Sequence, residues 1–86
     1  MNINELIAIV KNKLEKKIII QHLKIEDKSF LHKNHKGHKK GKFHLKIIIN
    51  SDELTKTSKI DSTKKIYSIL DLELKQYIHS IQILIN

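Results

Sequence analysis

The stretch Phe43-His44-Leu45-Lys46-Ile47-Ile48-Ile49 has the residue pattern of a buried β-strand. Its β-branched residues favour extended backbone, and the triple-isoleucine run predicts that both faces are buried toward its end. Upstream, Ile18–Ile20 leads into Gln21-His22-Leu23-Lys24-Ile25, whose alternation predicts an earlier strand. Residues 26–42 contain both glycines and almost no apolar side chain. We therefore predict a long loop that joins two antiparallel strands.

An amphipathic helix is predicted before these strands. It runs from Asn2 to about Lys16, with Asn2 or Asn4 as its cap and an acidic residue in its first turn. Apolar residues recur at helical spacing and form one stripe, which consists of Ile3, Leu6, Ile7, Val10 and Leu14.

Helical patterns also follow the second strand. Ser51-Asp52-Glu53-Leu54 is typical of a short helical turn capped by Ser51. A longer helix is predicted from about Ile60 to Gln76, beginning with Asp61 or Ser62. Its predicted inward stripe comprises Ile60, Thr63, Tyr67, Leu70 and Leu74, widened by Ile66 and Ile69.

The segment Tyr77–Ile85 completes the chain as a predicted third strand. Because side chains alternate along a strand, Ser80 and Gln82 share one face. His79 falls on the other face, together with three isoleucines. His79 is therefore predicted on the apolar face of this strand.

The order helix, strand, strand, short helix, long helix, strand predicts an α+β fold with the arrangement αββααβ. The helical crossover makes the second and third strands parallel, so the sheet is three-stranded and mixed, and helices pack on it. This arrangement is compatible with a type II KH-like fold. With 86 residues and no internal repeat, we predict one domain over residues 1–86.

Composition narrows the functional classes. The chain has no cysteine, so it forms no disulfide and no thiolate metal site. Its aliphatic runs are too short to span a membrane, and its start lacks a signal-peptide pattern. We therefore expect a cytoplasmic protein without a membrane partner.

The net charge of +8 suggests an anionic partner. However, all 17 of these basic residues are lysines. The chain therefore lacks the guanidinium group of arginine, which commonly forms paired hydrogen bonds to phosphates and base edges. The charge is compatible with weak DNA binding or with docking to an acidic protein.

Histidine is the one borderline-soft metal ligand available to this chain. His32, His35 and His38 recur at three-residue steps in the predicted loop, and His79 lies in the last apolar run. From the residues alone, His79 could equally be a core imidazole, and the loop histidines could be solvated or bind nickel or zinc adventitiously. His22 is expected to face solvent.

Catalytic motifs are missing from the sequence. No serine lies in a nucleophile-elbow pattern, and Gly37-His-Lys-Lys-Gly41 lacks the lysine and hydroxyl residue of a P-loop. The carboxylates fit helix caps and helix surfaces. We therefore expect a protein that is not an enzyme.

Five segments, taken in order, resemble the pattern of the BolA family. The family pattern reads D-x-S-x-x-H, [ST]-H-F, V-S-x-x-F, R-H-R-x-V-Y-x-x-L and H-A-L-x-I. The corresponding segments are Asp27-x-Ser29-x-x-His32, Gly41-x-Phe43-His44-Leu45, Ile48-Ile49-Asn50-Ser51-x-x-Leu54, Lys64-x-Ile66-Tyr67-x-x-Leu70 and Ile78-His79-Ser80-Ile81. The resemblance spans nearly the whole chain.

Three departures from the family pattern bear on charge, core packing or the site. Ser62-Thr63-Lys64 stands where the family has R-H-R, so one of its positive charges is kept. Leu54 replaces the phenylalanine of the S-x-x-F element, and Ser80 replaces the alanine after the last histidine. Roles carried by the missing arginine and histidine are therefore not transferred.

The resemblance implies a non-enzymatic adaptor. BolA-like proteins bind monothiol glutaredoxins of the CGFS type and share a bridging [2Fe-2S] cluster, to which the glutaredoxin and glutathione contribute thiolates. Histidine ligation raises the potential of such a cluster and makes it sensitive to protonation. By position, the ligands here would be His79 and His32, with His35, His38 and His44 as alternatives. The expected partner-binding residues are Lys64, Tyr67 and Ser80.

The resemblance also implies what the isolated chain would do. Without a partner it would carry no cluster, and it would be a monomer or a weak dimer. The expected process is iron-sulfur cluster assembly and trafficking, or iron-linked regulation. The alternative from another functional class is a DNA-binding transcription regulator with a KH-like fold, since some BolA-like proteins are described as regulators.

Overall fold

The computed structural model describes residues 1–29 and 42–86 of the chain. The elements are α1 (Ile3–Lys17), β1 (His22–Asp27), β2 (Phe43–Asn50), α2 (Asp52–Thr55), α3 (Lys59–Ile69), α4 (Asp71–Gln76) and β3 (Ile78–Ile85). This order confirms the predicted one, except that the long helix predicted from about Ile60 to Gln76 is divided at Leu70 into α3 and α4.

Strand β2 lies at the centre of a three-stranded sheet. It pairs antiparallel with β1 and parallel with β3, so the predicted mixed sheet is confirmed. Strand β1 begins at His22 and continues to Asp27, beyond the predicted end at Ile25. The α+β fold is therefore confirmed, and it is compatible with the KH-like label.

The hydrophobic core lies on one face of the sheet, beneath the helices. Leu45, Ile47 and Ile49 of β2 are buried on this face. They belong to one cluster with the buried residues of the helical layer, which include Leu6, Val10 and Leu14 of α1, Leu54 of α2 and Ile66 of α3. Burial of this apolar surface is the main stabilising contribution to the fold.

The opposite face of β2 is less covered than the sequence predicted. Ile48 is half-buried, as is Lys46. The prediction that both faces are buried at the triple-isoleucine run is wrong for Ile48, because the helical residues of the core cluster pack against the other face.

The first two helices begin at the predicted caps. The Asn2 side chain accepts a hydrogen bond from the Glu5 amide at 2.8 Å, and its amide group donates to the Glu5 carboxylate at 3.1 Å. The Ser51 hydroxyl accepts from the Leu54 amide at 3.2 Å and donates to the Ile19 carbonyl at 2.7 Å. Ser51 therefore caps α2 and also holds it against the segment after α1.

Helix α3 begins earlier, and faces differently, than predicted. Its cap is Ser58, whose hydroxyl accepts from the Asp61 amide at 3.1 Å. Ser62 is fully buried and donates to the Leu54 carbonyl at 2.7 Å, so a small polar residue packs against α2. The buried face therefore contains Ser62 and Ile66, whereas Ile60 is 68% exposed.

The predicted inward stripe of the long helix is thus only partly correct. Leu70 is buried and Leu74 is half-buried, but Tyr67 is 41% exposed. Because Ser62 fixes the rotation of α3 against α2, residues seven apart on the far side, such as Ile60 and Tyr67, turn toward solvent. Sequence hydrophobicity alone could not reveal this hydrogen bond.

One ion pair links the first and last helices. The Lys13 ammonium lies 2.7 Å from a carboxylate oxygen of Glu73, which is 3% exposed.

The helices were also compared with the length and hydropathy that a membrane span requires. None of those within residues 1–29 and 42–86 meets both requirements.

Candidate functional site

Strand β3 contains an irregularity at His79. Phe43 of β2 pairs with Ile78, but the next residue, His44, pairs with Ser80, so His79 is an extra residue in β3. Such a bulge locally re-aims a side chain and often lies beside a functional site. Here it leaves His79 exposed, whereas Ile78 beside it is buried.

The predicted position of His79 on the apolar face is therefore wrong. The physical reason is the bulge, which shifts the alternation of side chains by one residue. Ile78 and Ile81 are three apart and both face the core, which a regular strand does not permit.

His44 lies directly beside His79. The two ring centroids are 4.9 Å apart and the ring planes are tilted by 55°. His44 is 5% exposed, and its Nδ1 lies 2.5 Å from the hydroxyl oxygen of Ser80. The structure thus joins three of the predicted site residues: one exposed imidazole, one buried imidazole and one serine.

The backbone of His44 is held by the residues that end β1. The Asp27 carboxylate accepts from the Ser29 amide at 2.9 Å, and the Ser29 hydroxyl accepts from the His44 amide at 3.1 Å. The Lys28 amide donates to the His44 carbonyl at 2.7 Å. The aspartate and serine of the D-x-S element therefore fix the position of His44, which the sequence pattern alone did not explain.

Two lysines, Lys28 and Lys46, lie near the cluster of His44, His79 and Ser80. They are on the open face of the sheet, opposite the helices. A shallow depression of about 370 Å³ is lined by residues of all three strands or their ends: Lys28, His44, Leu45, Lys46, Ser80, Ile81 and Gln82. Glu26 lies nearby, and the hydrogen-bonded Lys28 ammonium, 2.9 Å away, holds the pKa of this carboxyl below its usual value, with smaller contributions from Lys24 and Lys46. The depression is therefore suited to anionic groups.

Other predicted site residues lie elsewhere. Lys64 and Tyr67 are exposed on α3, in the helical layer, whereas Ser80 is on β3 within the cluster. His32, His35 and His38 lie outside the described residues. His22 is exposed at the opposite end of β1, as predicted, and pairs with Asn50.

The cluster offers an incomplete set of metal ligands. Within the part of the chain that the structure describes, no group of three or more His, Cys, Asp or Glu side chains could hold a metal ion. The whole sequence also contributes no thiolate. His79 offers one exposed imidazole, whereas Nδ1 of His44 is already engaged by Ser80.

Comparison with known proteins identifies related sequences and folds. The family described as BolA-like protein matches residues 14–86. A search of curated proteins found no matching relative.

Solved structures resemble the whole architecture. The BolA domain of SufE1 from Arabidopsis thaliana is 28% identical, with a TM-score of 0.78, over 100% of this chain and 93% of that chain. BolA1 from Arabidopsis thaliana is 26% identical, with a TM-score of 0.76, over 92% of this chain and 87% of that one. The BolA1 protein of Mus musculus, 20% identical over 90% of this chain and 60% of its own, has a TM-score of 0.69 and shows the same fold.

Proposed function

Because this chain belongs to the BolA-like protein family, we propose that it is a non-enzymatic adaptor that binds a monothiol glutaredoxin of the CGFS type. Together the two proteins would hold a bridging [2Fe-2S] cluster, with glutathione and the glutaredoxin supplying the thiolates that this chain lacks. The process served would be iron-sulfur cluster assembly and trafficking, or iron-linked regulation, in the cytoplasm.

The observation that carries this proposal is the exposure of His79 on the β3 bulge. A ligand shared between two proteins must reach beyond its own surface, and a core imidazole could not. The bulge provides that reach while Ile78 and Ile81 on either side stay packed against the core.

We assign His44 a positioning role. Its ring is buried beside that of His79, and Ser80 and Ser29 hold its side chain and its backbone. A ring that is fixed in this way limits the orientations open to His79, which lowers the entropy lost when the imidazole becomes a ligand. The second protein ligand would be His32, with His35 and His38 as alternatives, all outside the described residues.

The lysines around the depression would assist docking. When bound, the cluster would supply either electron transfer or iron and sulfide for delivery to a recipient protein. Lys28 and Lys46 lie beside the histidine pair and could attract the carboxylates of glutathione or an acidic surface of the glutaredoxin. The adaptor would thereby replace one glutaredoxin subunit and its glutathione in a cluster-bridged homodimer.

Anaerobic reconstitution tests this proposal. A CGFS glutaredoxin with glutathione would be loaded with iron and sulfide, alone and mixed with this protein, and followed by visible circular dichroism. We expect a new spectrum on mixing, which His79→Ala abolishes. The matched control is His22→Ala, because His22 is also an exposed strand histidine but lies at the far end of β1.

The remaining variants separate the roles of the histidines. The second ligand is identified by the substitution that alters or abolishes the new spectrum. The variants to compare are His32→Ala, His35→Ala and His38→Ala. Far-ultraviolet circular dichroism confirms that each variant is folded. An unchanged spectrum on adding the wild-type protein, or equal loss with His79→Ala and His22→Ala, would contradict the proposal.

DNA binding is a second candidate function, favoured by one surface. Lys16 and Lys17 are exposed in the last turn of α1 and border a depression of about 470 Å³ between α1 and α3, whereas Lys13 beside them is paired with Glu73. Electrophoretic mobility shifts at several salt concentrations test it. A regulator would discriminate between DNA sequences at physiological salt, whereas equal, salt-sensitive binding to every duplex would reflect the +8 charge alone.

A further inference from the structure

The open face of the sheet is built from side chains that point away from the helices. Strand pairing arranges them in three rows across the sheet, which are His44 with Ser80, then Glu26, Lys46 and Gln82, and then Lys24, Ile48 and Leu84. Successive rows are two residues apart along each strand, which is about 7 Å. The third row therefore lies about 13 Å from the row that holds the candidate site.

The third row is apolar at its centre and cationic at one side. Leu84 is 37% exposed, and its neighbour on β2, Ile48, is half-buried. Lys24 lies on the other side of Ile48, and its ammonium is 3.9 Å from the Glu26 carboxylate. Two aliphatic side chains bordered by a lysine fit a protein surface that is acidic and has an apolar residue at its centre.

We propose that this third row belongs to the docking surface for the partner that supplies the thiolates, so that the partner covers the open face from His79 to Leu84. The inference rests on the proposed adaptor function. A protein that shares a cluster with His79 must contact the surface around that residue. An interface of ordinary size covers about 800 Å² on each side, which corresponds to a radius of about 16 Å and reaches the third row.

Charge determines which kind of macromolecule fits this face. Three lysines, Lys24, Lys28 and Lys46, all act on one carboxylate, that of Glu26, and the chain carries +8. An acidic protein is therefore attracted, whereas a second copy of this chain is repelled. Duplex DNA is also attracted by lysines, but contacts to its phosphates leave the aliphatic side chain of Leu84 unused. The combination of cations and aliphatic groups favours an acidic protein.

The exposed side of α3 is the alternative docking surface, and it lies in the helical layer. Ile66 of α3 is buried in the core beneath the sheet. Lys64 is two residues from Ile66, which is about 200° of helical rotation, so it faces away from the sheet. Lys64 and Tyr67, which the family resemblance implies as partner-binding residues, are therefore outside the proposed surface. Substitutions on the two layers distinguish the two surfaces.

Titration of the cluster-bridged complex tests the proposal. A CGFS glutaredoxin with glutathione is reconstituted with iron and sulfide at increasing concentrations of this chain, and visible circular dichroism gives the midpoint of complex formation. Leu84→Glu should raise the midpoint about tenfold, because it replaces an apolar contact with a carboxylate that the acidic partner repels. Lys24→Glu should raise it about threefold. The shape of the spectrum should stay that of the wild type, because neither residue is a ligand.

Matched controls on α3 carry the same two changes. Ile60→Glu and Lys59→Glu replace an exposed aliphatic and an exposed lysine in the helical layer, and each should keep the midpoint within about twofold of wild type. Far-ultraviolet circular dichroism checks that every variant is folded. Leu84→Ser is the milder second variant, which removes the apolar contact without adding charge and should raise the midpoint about threefold.

The outcomes separate this surface from the adaptor function itself. If the wild-type chain gives the new spectrum but the Leu84 and Lys24 variants keep its midpoint, the proposed surface is overturned and the adaptor function stands. Equal increases for the α3 variants and the open-face variants would also overturn it. If the wild-type chain gives no new spectrum, the adaptor function and the docking surface both fail.

Discussion

The two faces of strand β2 are organised by different forces. On the helix-covered face, Leu45, Ile47 and Ile49 are buried among apolar side chains. On the open face, His44 is equally buried, but its neighbours include two serines that hydrogen-bond to it and a second histidine. Residues adjacent in the sequence thus serve separate purposes.

The two faces therefore contribute to stability in different ways. Apolar packing on the helix-covered face contributes in proportion to buried area and tolerates little loss of volume. Hydrogen bonds on the open face contribute about 1 kcal/mol each but fix the orientation of the groups they join. The helix-covered face therefore maintains the fold, and the open face positions the candidate site.

The largest effect is expected from truncating the helix-covered face. Ile47→Ala should lower the free energy of unfolding by about 3 kcal/mol, because it leaves a cavity in a fully buried cluster. The control is Ile48→Ala, the same change at the half-buried neighbour on the open face, with an expected loss of about 1 kcal/mol. Urea unfolding measures both, and equal losses would contradict the comparison.

A smaller loss is expected for the buried imidazole of the open face. His44→Ala should cost about 1 to 2 kcal/mol, since it removes a buried imidazole ring and its contact with Ser80. It should also shift the ring resonances of His79 in NMR spectra, because the two rings are neighbours. His22→Ala should leave those resonances unchanged. Unmoved His79 resonances in His44→Ala would refute the positioning role.

The hydroxyl that holds the His44 backbone gives a third test. Ser29→Ala should cost about 1 kcal/mol, because the His44 amide loses its acceptor in a partly buried setting. Ser68→Ala, at an exposed position on α3, should change the unfolding free energy by less than about 0.5 kcal/mol. If the two variants unfold alike, the D-x-S element does not support the site.

The ion pair of Glu26 and Lys28 on the open face predicts that stability depends weakly on pH in acid. Lys28 lowers the pKa of Glu26 in the folded state, so this carboxylate stabilises the protein above the pKa of the unfolded chain. That contribution is lost as the pH falls through the lowered pKa. Glu26→Gln should therefore lower the melting temperature slightly at pH 7, and the difference from wild type should vanish in strong acid.

Glu15→Gln is the control for this pH series. Glu15 lies on α1 and approaches Lys11 only to 4.0 Å, so its replacement should change stability little at any pH. A difference between wild type and Glu26→Gln that persists or grows in acid would contradict the assigned sign.

The smallest effect on stability is expected at His79, the proposed cluster ligand. His79→Ala should change the unfolding free energy by less than about 0.5 kcal/mol, because the ring is exposed on the bulge. A core histidine, as the strand alternation predicted, would cost more through the cavity it leaves. Urea unfolding therefore tests the bulge itself, and a loss above about 1 kcal/mol would show that His79 is packed inside.

Much of the fold followed from local sequence signals. Helical spacing located α1, hydroxyl and amide residues marked the caps at Asn2 and Ser51, and alternation located the strands. These signals act over a few residues. The rotation of α3 did not follow, because it depends on the hydrogen bond from Ser62 to Leu54 in another helix.

The candidate site was predictable in its residues but not in its geometry. The resemblance identified His79, His44 and Ser80, which the structure brings together. It could not show that His79 leaves the apolar face, since a bulge depends on pairing with β2. The loop histidines lie outside the described residues, so their assignment as ligands stays a prediction.

The parallel pairing of β2 with β3 also bears on the order of events in folding. His44 and Ser80 are 36 residues apart in the chain, and the crossover helices must be arranged before their strands can align. Closing such a long loop costs entropy that is recovered only when β3 is in place. The antiparallel pair β1 and β2 contains His44 but not His79, so pairing of these two strands alone does not form the histidine pair. The contact between the two histidine rings therefore forms only when β3 is in place.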